Sequence, residues 1–117
     1  MIISSTVHNN ILFVHLAGDL VGPPDALPLV QAVNDCLRAA VINCAIDLSE
    51  IRYINSAGIG VLVSLLTKFR TRGGEMILIN PADHPRRLLA LTKLNNIFAV
   101  APTEAAARQQ LLAAAPS

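Results

Sequence analysis

Ile46-Asp47-Leu48-Ser49-Glu50-Ile51-Arg52-Tyr53-Ile54-Asn55-Ser56-Ala57-Gly58-Ile59-Gly60, with the segment that follows it to Arg72, decides how this chain is read. The run from Val41 to Ile46 is apolar apart from Asn43 and ends at Asp47, which predicts a short buried strand. Polar residues then turn toward a knot of small residues, Asn55-Ser56-Ala57-Gly58. Beyond the knot, apolar side chains recur at Ile59, Leu62, Val63, Leu66 and Phe69, the spacing of one helical face. A strand therefore ends, the chain crosses over, and a helix opens with Asn55 or Ser56 at its first positions. Side-chain oxygens are favoured there because they accept from the unpaired N–H groups of the first turn. A hydroxyl is thereby placed at the rim of the domain, on a positive helix terminus.

The flanks fit the same scheme. Ile2 to Val7 and Ile11 to Leu16 are β-rich runs joined by His8-Asn9-Asn10, which predicts an N-terminal hairpin because Asn tolerates positive φ. Gly18 to Pro24 is expected to be a turn, and Pro23-Pro24 suits the entry to a helix from about Asp25 to Ala40. Its apolar stripe is Leu29, Val30, Val33, Leu37 and Val41. Gly73-Gly74 closes the helix after the knot, as glycine does at a left-handed cap. Met76 to Ile79 predicts a strand buried on both faces, and residues 80–85 a loop. A short helix is expected over Arg86 to Lys93 with Leu88, Leu89 and Leu91 inward, then a strand over Ile97 to Val100. A terminal helix runs from a Thr103 cap to about Ala113, and Pro116-Ser117 is expected to fray.

The order ββαβαβαβα predicts an α/β fold, with a mixed, mostly parallel central sheet, an N-terminal hairpin and four helices. The 117 residues suit one domain, residues 1–117, with no linker or repeat. In such sheets sites lie where strands end and helices begin. Gly18 to Val21, Asn55-Ser56 and Asn80 to Asp83 are therefore expected near one rim.

Composition narrows the function. Hydrophobic residues are 53% and aromatics 3%, so the core is aliphatic, and few rings remain to stack on bases. A net charge of +1 without a basic block argues against a nucleic-acid surface. No run reaches the length of a membrane span, and Met1 opens directly into a strand-like segment, so the chain reads as soluble and cytoplasmic, without direct membrane insertion. Cys36 and Cys44 lack metal-ligand spacing and read as reduced, buried thiols. No metal or cofactor is expected.

The knot could serve three chemistries. A phosphate cradle would use bare N–H groups at the helix start, but neither glycine-rich phosphate motif is present, and Gly58 and Gly60 read better as close-packing residues. A nucleophilic serine needs a base and an orienting acid; His8, His15 and His84 show no evident acidic partner, and G-x-S-x-G is absent. A serine that receives a phosphoryl group needs only exposure, and the residues alone leave that reading level with a plain capping role for Ser56. Opposite the apolar stripe lie Ala57, Gly60, Val61, Ser64 and Lys68, which suit either docking against a partner or packing under a neighbouring helix.

Asp47 to Leu62 resembles the signature of STAS domains, in particular bacterial anti-sigma factor antagonists, where the segment reads roughly D-L-S-x-V-x-F-I-D-S-[ST]-G-L-G-V-L. Gly18-Asp19-Leu20, Gly73-Gly74-Glu75-Met76 and Leu91-Thr92-Lys93-Leu94 before Ile97-Phe98 match in the same order. The resemblance implies the STAS fold and a non-enzymatic switch with no catalytic residues of its own. Such an antagonist binds an anti-sigma factor that is also a serine kinase, and so releases a sigma factor for transcription. Phosphorylation, here at Ser56 by position, ends the binding, and a PP2C-type phosphatase restores it. Asp19, Val21, Asn55, Ala57, Gly58, Gly60, Val61, Ser64 and Lys68 are the expected partner-binding residues. Where the family usually has Asp before the serine this chain has Asn55, and where it often has an acidic residue after the second strand it has Val21. Assembly as a homodimer is left open. The alternative within the same fold is a STAS interaction subunit, never phosphorylated, of an ABC lipid-transport complex or a stress-signalling scaffold.

Overall fold

The computed structural model describes residues 1–113, and the end expected to fray lies outside them. The first two strands, β1 (Ile2–His8) and β2 (Ile11–Leu20), form the expected antiparallel hairpin. Asn9 and Asn10 both take positive φ, as a two-residue turn of this hand requires. Helix α1 (Leu27–Arg38) begins two residues later than expected, because the chain first turns through Gly22 to Leu27. It carries proline in its first turn and buries Leu29, Val33 and Leu37.

Strand β3 (Asn43–Ile54) corrects the largest sequence expectation: it continues seven residues past Asp47 instead of turning there. The reason is its neighbour. β2 also continues through Gly18 to Leu20, where a turn was expected, and the two strands pair in parallel to Leu20↔Ile54. Two register shifts lie in this stretch: Ala17 faces Glu50, two positions after His15↔Asp47, and Asp19 faces Tyr53, one position after Gly18↔Ile51. In each, β3 carries one extra residue, which breaks the two-residue alternation. Its buried residues fall at Leu48, Ile51 and Ile54, three apart, a pattern that alternation rules read as loop. Asp47 Oδ1 accepts from Ser49 N at 2.8 Å and shapes the first bulge.

Helix α2 (Ser56–Thr71) follows at once. Gly73, at φ 84°, ends it: its N–H donates to Arg70 O and that of Gly74 to Phe69 O, the paired bonds of a left-handed terminus. Then come β4 (Glu75–Ile79), α3 (Asp83–Leu91), a 3-10 turn (Leu94–Asn96), β5 (Ala99–Ala101) and α4 (Glu104–Ala113). α3 starts three residues early and leaves Leu91 exposed, so only Pro85 and Leu89 of it are buried. β5 starts later than expected because Phe98 turns into the core instead of joining the strand. Thr103 Oγ1 accepts from Ala106 N at 3.1 Å, as its expected capping role requires.

The sheet order is β1-β2-β3-β4-β5, with only β1 antiparallel to its neighbour. On one face Leu12, Val14, Leu16, Ile46, Leu48, Ile51 and Leu78 pack with α1, α2 and Leu89 of α3 into the main core. On the other, Ile11, Phe13, Ala45, Ile77 and Ile79 meet Ala107 and Leu111 of α4 alone. Both cysteines are free; burial pushes both thiols up, and Asp35 adds to the effect at Cys36. Among the described residues no helix is long and apolar enough to cross a membrane.

Candidate functional site

The knot sits where β3 ends. Asn55 is extended (φ −110°, ψ −177°) and caps α2, its Oδ1 accepting from Gly58 N at 2.8 Å. Asn55 N donates to Leu20 O at 3.4 Å, so the cap is also tied to the end of β2. Asn and Asp offer the same capping oxygen, so the amide that departs from the family pattern keeps the helix start intact. Because Asn55 does the capping, Ser56 does not. Ser56 is the first helical residue and is exposed. No acidic side chain occupies the first turn, so the positive end of the helix is not neutralised there.

Gly58 is buried rather than presented to a partner: a methyl group on its Cα would overlap the Leu20 carbonyl oxygen. That contact lets α2 start hard against the sheet. Gly22 (φ 95°) does the same from the other side, its position lying 2.8 Å from Ala57 Cβ once a Cβ is added. Gly60 does not share the packing role expected of it; nothing lies within 4 Å of an added Cβ there. Val61 is 9% exposed and joins the main core, so it too is corrected from a partner-facing residue to a packing one. Lys68 reaches across to α1, where its Nζ donates to Asn34 Oδ1 at 2.9 Å. The face opposite the stripe is thus divided: its deeper part packs under α1, and its start stays open.

The open part borders a groove of about 330 Å³ lined by Pro23, Val30, Ala57, Gly60, Val61 and Ser64. It runs between the entry to α1 and the first turns of α2, where its lining starts at Ala57, the residue after Ser56. At the rim, Val21 is half-buried and Asp19 lies 3.5 Å from Arg52 Nη2, a solvent-exposed pair worth little. The expected approach of Gly18 to Val21 to the knot is observed, while Asn80 to Asp83 lies along the middle of β3, with Ala82 N donating to Leu48 O.

A pair that the sequence did not bring together, Tyr53 and His84, flanks the site. Tyr53, 45% exposed, stacks on His84 with ring centroids 4.9 Å apart. Ile54 N donates to His84 Nδ1 at 3.2 Å, which ties the ring to the end of β3. An exposed ring three residues before the serine, in a chain so poor in aromatics, was the signal available. The Ser49-to-Arg52 edge, with Ala82, Asp83, His84 and Arg87, forms a shallow basin next to this stack.

His15 has the acidic partners that the sequence did not reveal: Nδ1 lies 3.3 Å from Asp47 Oδ2 and Nε2 3.2 Å from Glu50 Oε1. Burial pushes the Asp47 carboxyl up, but hydrogen bonds from Ser49 and the His15 ring outweigh it and leave it below its ordinary value. Even so, no triad forms with Ser56. His15 and Asp47 line a groove with Ser4, Phe13 and Glu104, on the α4 side of the sheet, whereas α2 packs on the opposite side.

Comparison with known proteins agrees with this geometry. The family described as the STAS domain matches residues 3–107. A relative from Listeria monocytogenes, "Anti-sigma-B factor antagonist", is 36% identical over 59 residues, which are 50% of this chain and 52% of that protein. The match thus spans about half the length of that curated relative. In solved structures, an anti-sigma factor antagonist from Mycobacterium paratuberculosis superposes with a TM-score of 0.80 at 22% identity, covering 95% of this chain and 93% of that one. The Bacillus cell fate determinant SpoIIAA in its phosphorylated form gives 0.70 at 20% identity, covering 93% and 98%. At these identities the two superpositions establish the fold.

Proposed function

The chain belongs to the STAS domain family, and from that premise we propose that it is an anti-sigma factor antagonist switched by phosphorylation of Ser56. The observation that carries this reading is the division of labour at the helix start: Asn55 caps, so the exposed Ser56 hydroxyl is not tied up, and the next residue, Ala57, already lines an apolar groove. The partner is an anti-sigma factor that is also a serine kinase, and a PP2C-type phosphatase reverses the modification. The domain supplies a surface and an acceptor; the chemistry belongs to those enzymes.

Phosphorylation would add nearly two negative charges at a helix N-terminus, where they favour the helix. The same charge beside Ala57, Gly60 and Ser64 would have to be desolvated when a partner seats against the groove. The switch therefore acts on association and leaves the fold standing. Ala57, Gly60 and Ser64 with Val21 and Asp19 form the contact surface. Asn55, Gly58, Val61 and Lys68 act beneath it, holding α2 in place. Tyr53, pinned by His84, is an aromatic anchor on the other side of the serine.

The experiment is phosphate transfer from labelled ATP by the anti-sigma kinase of the same organism, followed by calorimetric titration. The chain should take up label and Ser56→Ala should not, while Ser56→Ala keeps partner affinity and Ser56→Asp loses tenfold or more. Equal labelling of the chain and Ser56→Ala, or equal affinity of the two variants, would refute the switch. Binding without any labelling would favour the unphosphorylated interaction subunit.

A further inference from the structure

We propose that β1 is the pairing edge of a homodimer, in which two copies join β1 to β1 antiparallel and extend the sheet across a two-fold axis. β1 ends the sheet and is paired on one side only. Alternate residues of such a strand aim unpaired N–H and C=O groups outward, and proteins usually blunt the edge with charge, proline, a bulge or shortness. β1 has none of these. Ile2-Ile3-Ser4-Ser5-Thr6-Val7-His8 contains no Asp, Glu, Lys, Arg or Pro. Its register with β2 is unbroken over all seven residues, Ile2↔Ala17 to His8↔Ile11. The opposite edge is guarded: β5 has three residues and Pro102 follows it.

The strand is also complementary to itself. In the antiparallel register that uses all seven residues, Ser5 faces its own copy, Ser4 faces Thr6, Ile3 faces Val7 and Ile2 faces His8. At the inner pairs hydroxyl meets hydroxyl and apolar meets apolar, the end pairs set Ile2 beside the His8 ring, and no like charges meet. Ile2 is 74% exposed and Val7 49%, so both have surface to lose. Ile3 already packs against the main core, and its cross-strand contact with Val7 of the second copy continues that apolar layer over the junction. A strand whose five central residues, Ile3 to Val7, match themselves in the antiparallel sense favours a second copy over an unrelated extended peptide, and the two-fold closes the assembly at a pair. Because the copies run antiparallel, their α2 N-termini point to opposite ends, and both Ser56 sites remain open.

Light scattering on the full chain over a wide concentration range should give a monomer–dimer equilibrium that reaches twice the monomer mass. Ser5→Lys sets two ammonium groups face to face on the axis and should give monomer throughout, with an unchanged circular dichroism spectrum and a melting temperature that no longer rises with concentration. In a Cys36→Ala background, Ser5→Cys should oxidise to a covalent dimer, because residues directly opposed across two strands lie within disulfide reach. His8→Cys in the same background should not, since His8 faces Ile2. A chain that stays monomeric, a dimer that survives Ser5→Lys, equal cross-linking at positions 5 and 8, or open-ended assemblies would each overturn the proposal.

Discussion

Gly58 and Gly60 lie two residues apart in the same helix, and their surroundings differ completely. Gly58 is pressed against the carbonyl that ends β2, with Asn55 capping and Gly22 seating Ala57 around it. Gly60 faces open space beside Ser56 and the groove. One flank of the first turn is built for precise placement and the other for access. The proposed phosphoacceptor role of Ser56 would need both, because a hydroxyl that moves cannot be presented and one that is packed cannot be reached. The difference also separates stability from function: changes on the closed flank should damage the fold, and changes on the open flank should leave it whole.

The largest effect is expected at Gly58→Ala. Its methyl group meets backbone, which cannot swing aside, so the helix start must shift; a loss of about 3 kcal/mol in urea unfolding is expected. A loss below about 1 kcal/mol would erase the contrast between the flanks. Next, Asn55→Ala should cost about 1 kcal/mol through the lost cap, while Asn55→Asp keeps the acceptor and should be at least as stable. Gly60→Ala should act in the opposite direction and stabilise by about 0.5–1 kcal/mol, because the helix gains a better former and meets no neighbour. Destabilisation there would mean that the open flank is not open.

The smallest effect lies in the bulge that aims β3 at the site. Asp47 has a lowered folded-state pKa, so its contribution to stability is present above the unfolded carboxylate value near ~4 and is lost as pH falls through the folded value. Asp47→Asn should therefore flatten the acid limb of the stability profile and change little at neutral pH. An acid limb that keeps its slope would show that Ser49 and His15 do not favour the ionised carboxylate.

The parts of this molecule that could be read in the chain are those that short-range physics dictates. Asn9-Asn10 announces its turn, the apolar stripe from Ile59 to Phe69 announces a helix, and Asn55-Ser56 announces where that helix starts. The family signature adds the fold. The second half of β3 was hidden because its strand character comes from pairing with β2 through two bulges, and bulges erase the alternation by which a strand is recognised. His15 meeting Asp47 and Glu50, and Tyr53 meeting His84, are contacts across strands or loops far apart in the chain.

What the sequence determined by itself is local: the element types, their order, and a small-residue knot with a hydroxyl at a helix mouth, because capping and periodicity act within a few residues. Only the tertiary structure decided which oxygen caps, which glycine is pinned, that Val61 turns inward and that Ser56 remains free. Those outcomes depend on which backbone another strand brings alongside, and no window of neighbouring residues contains that information.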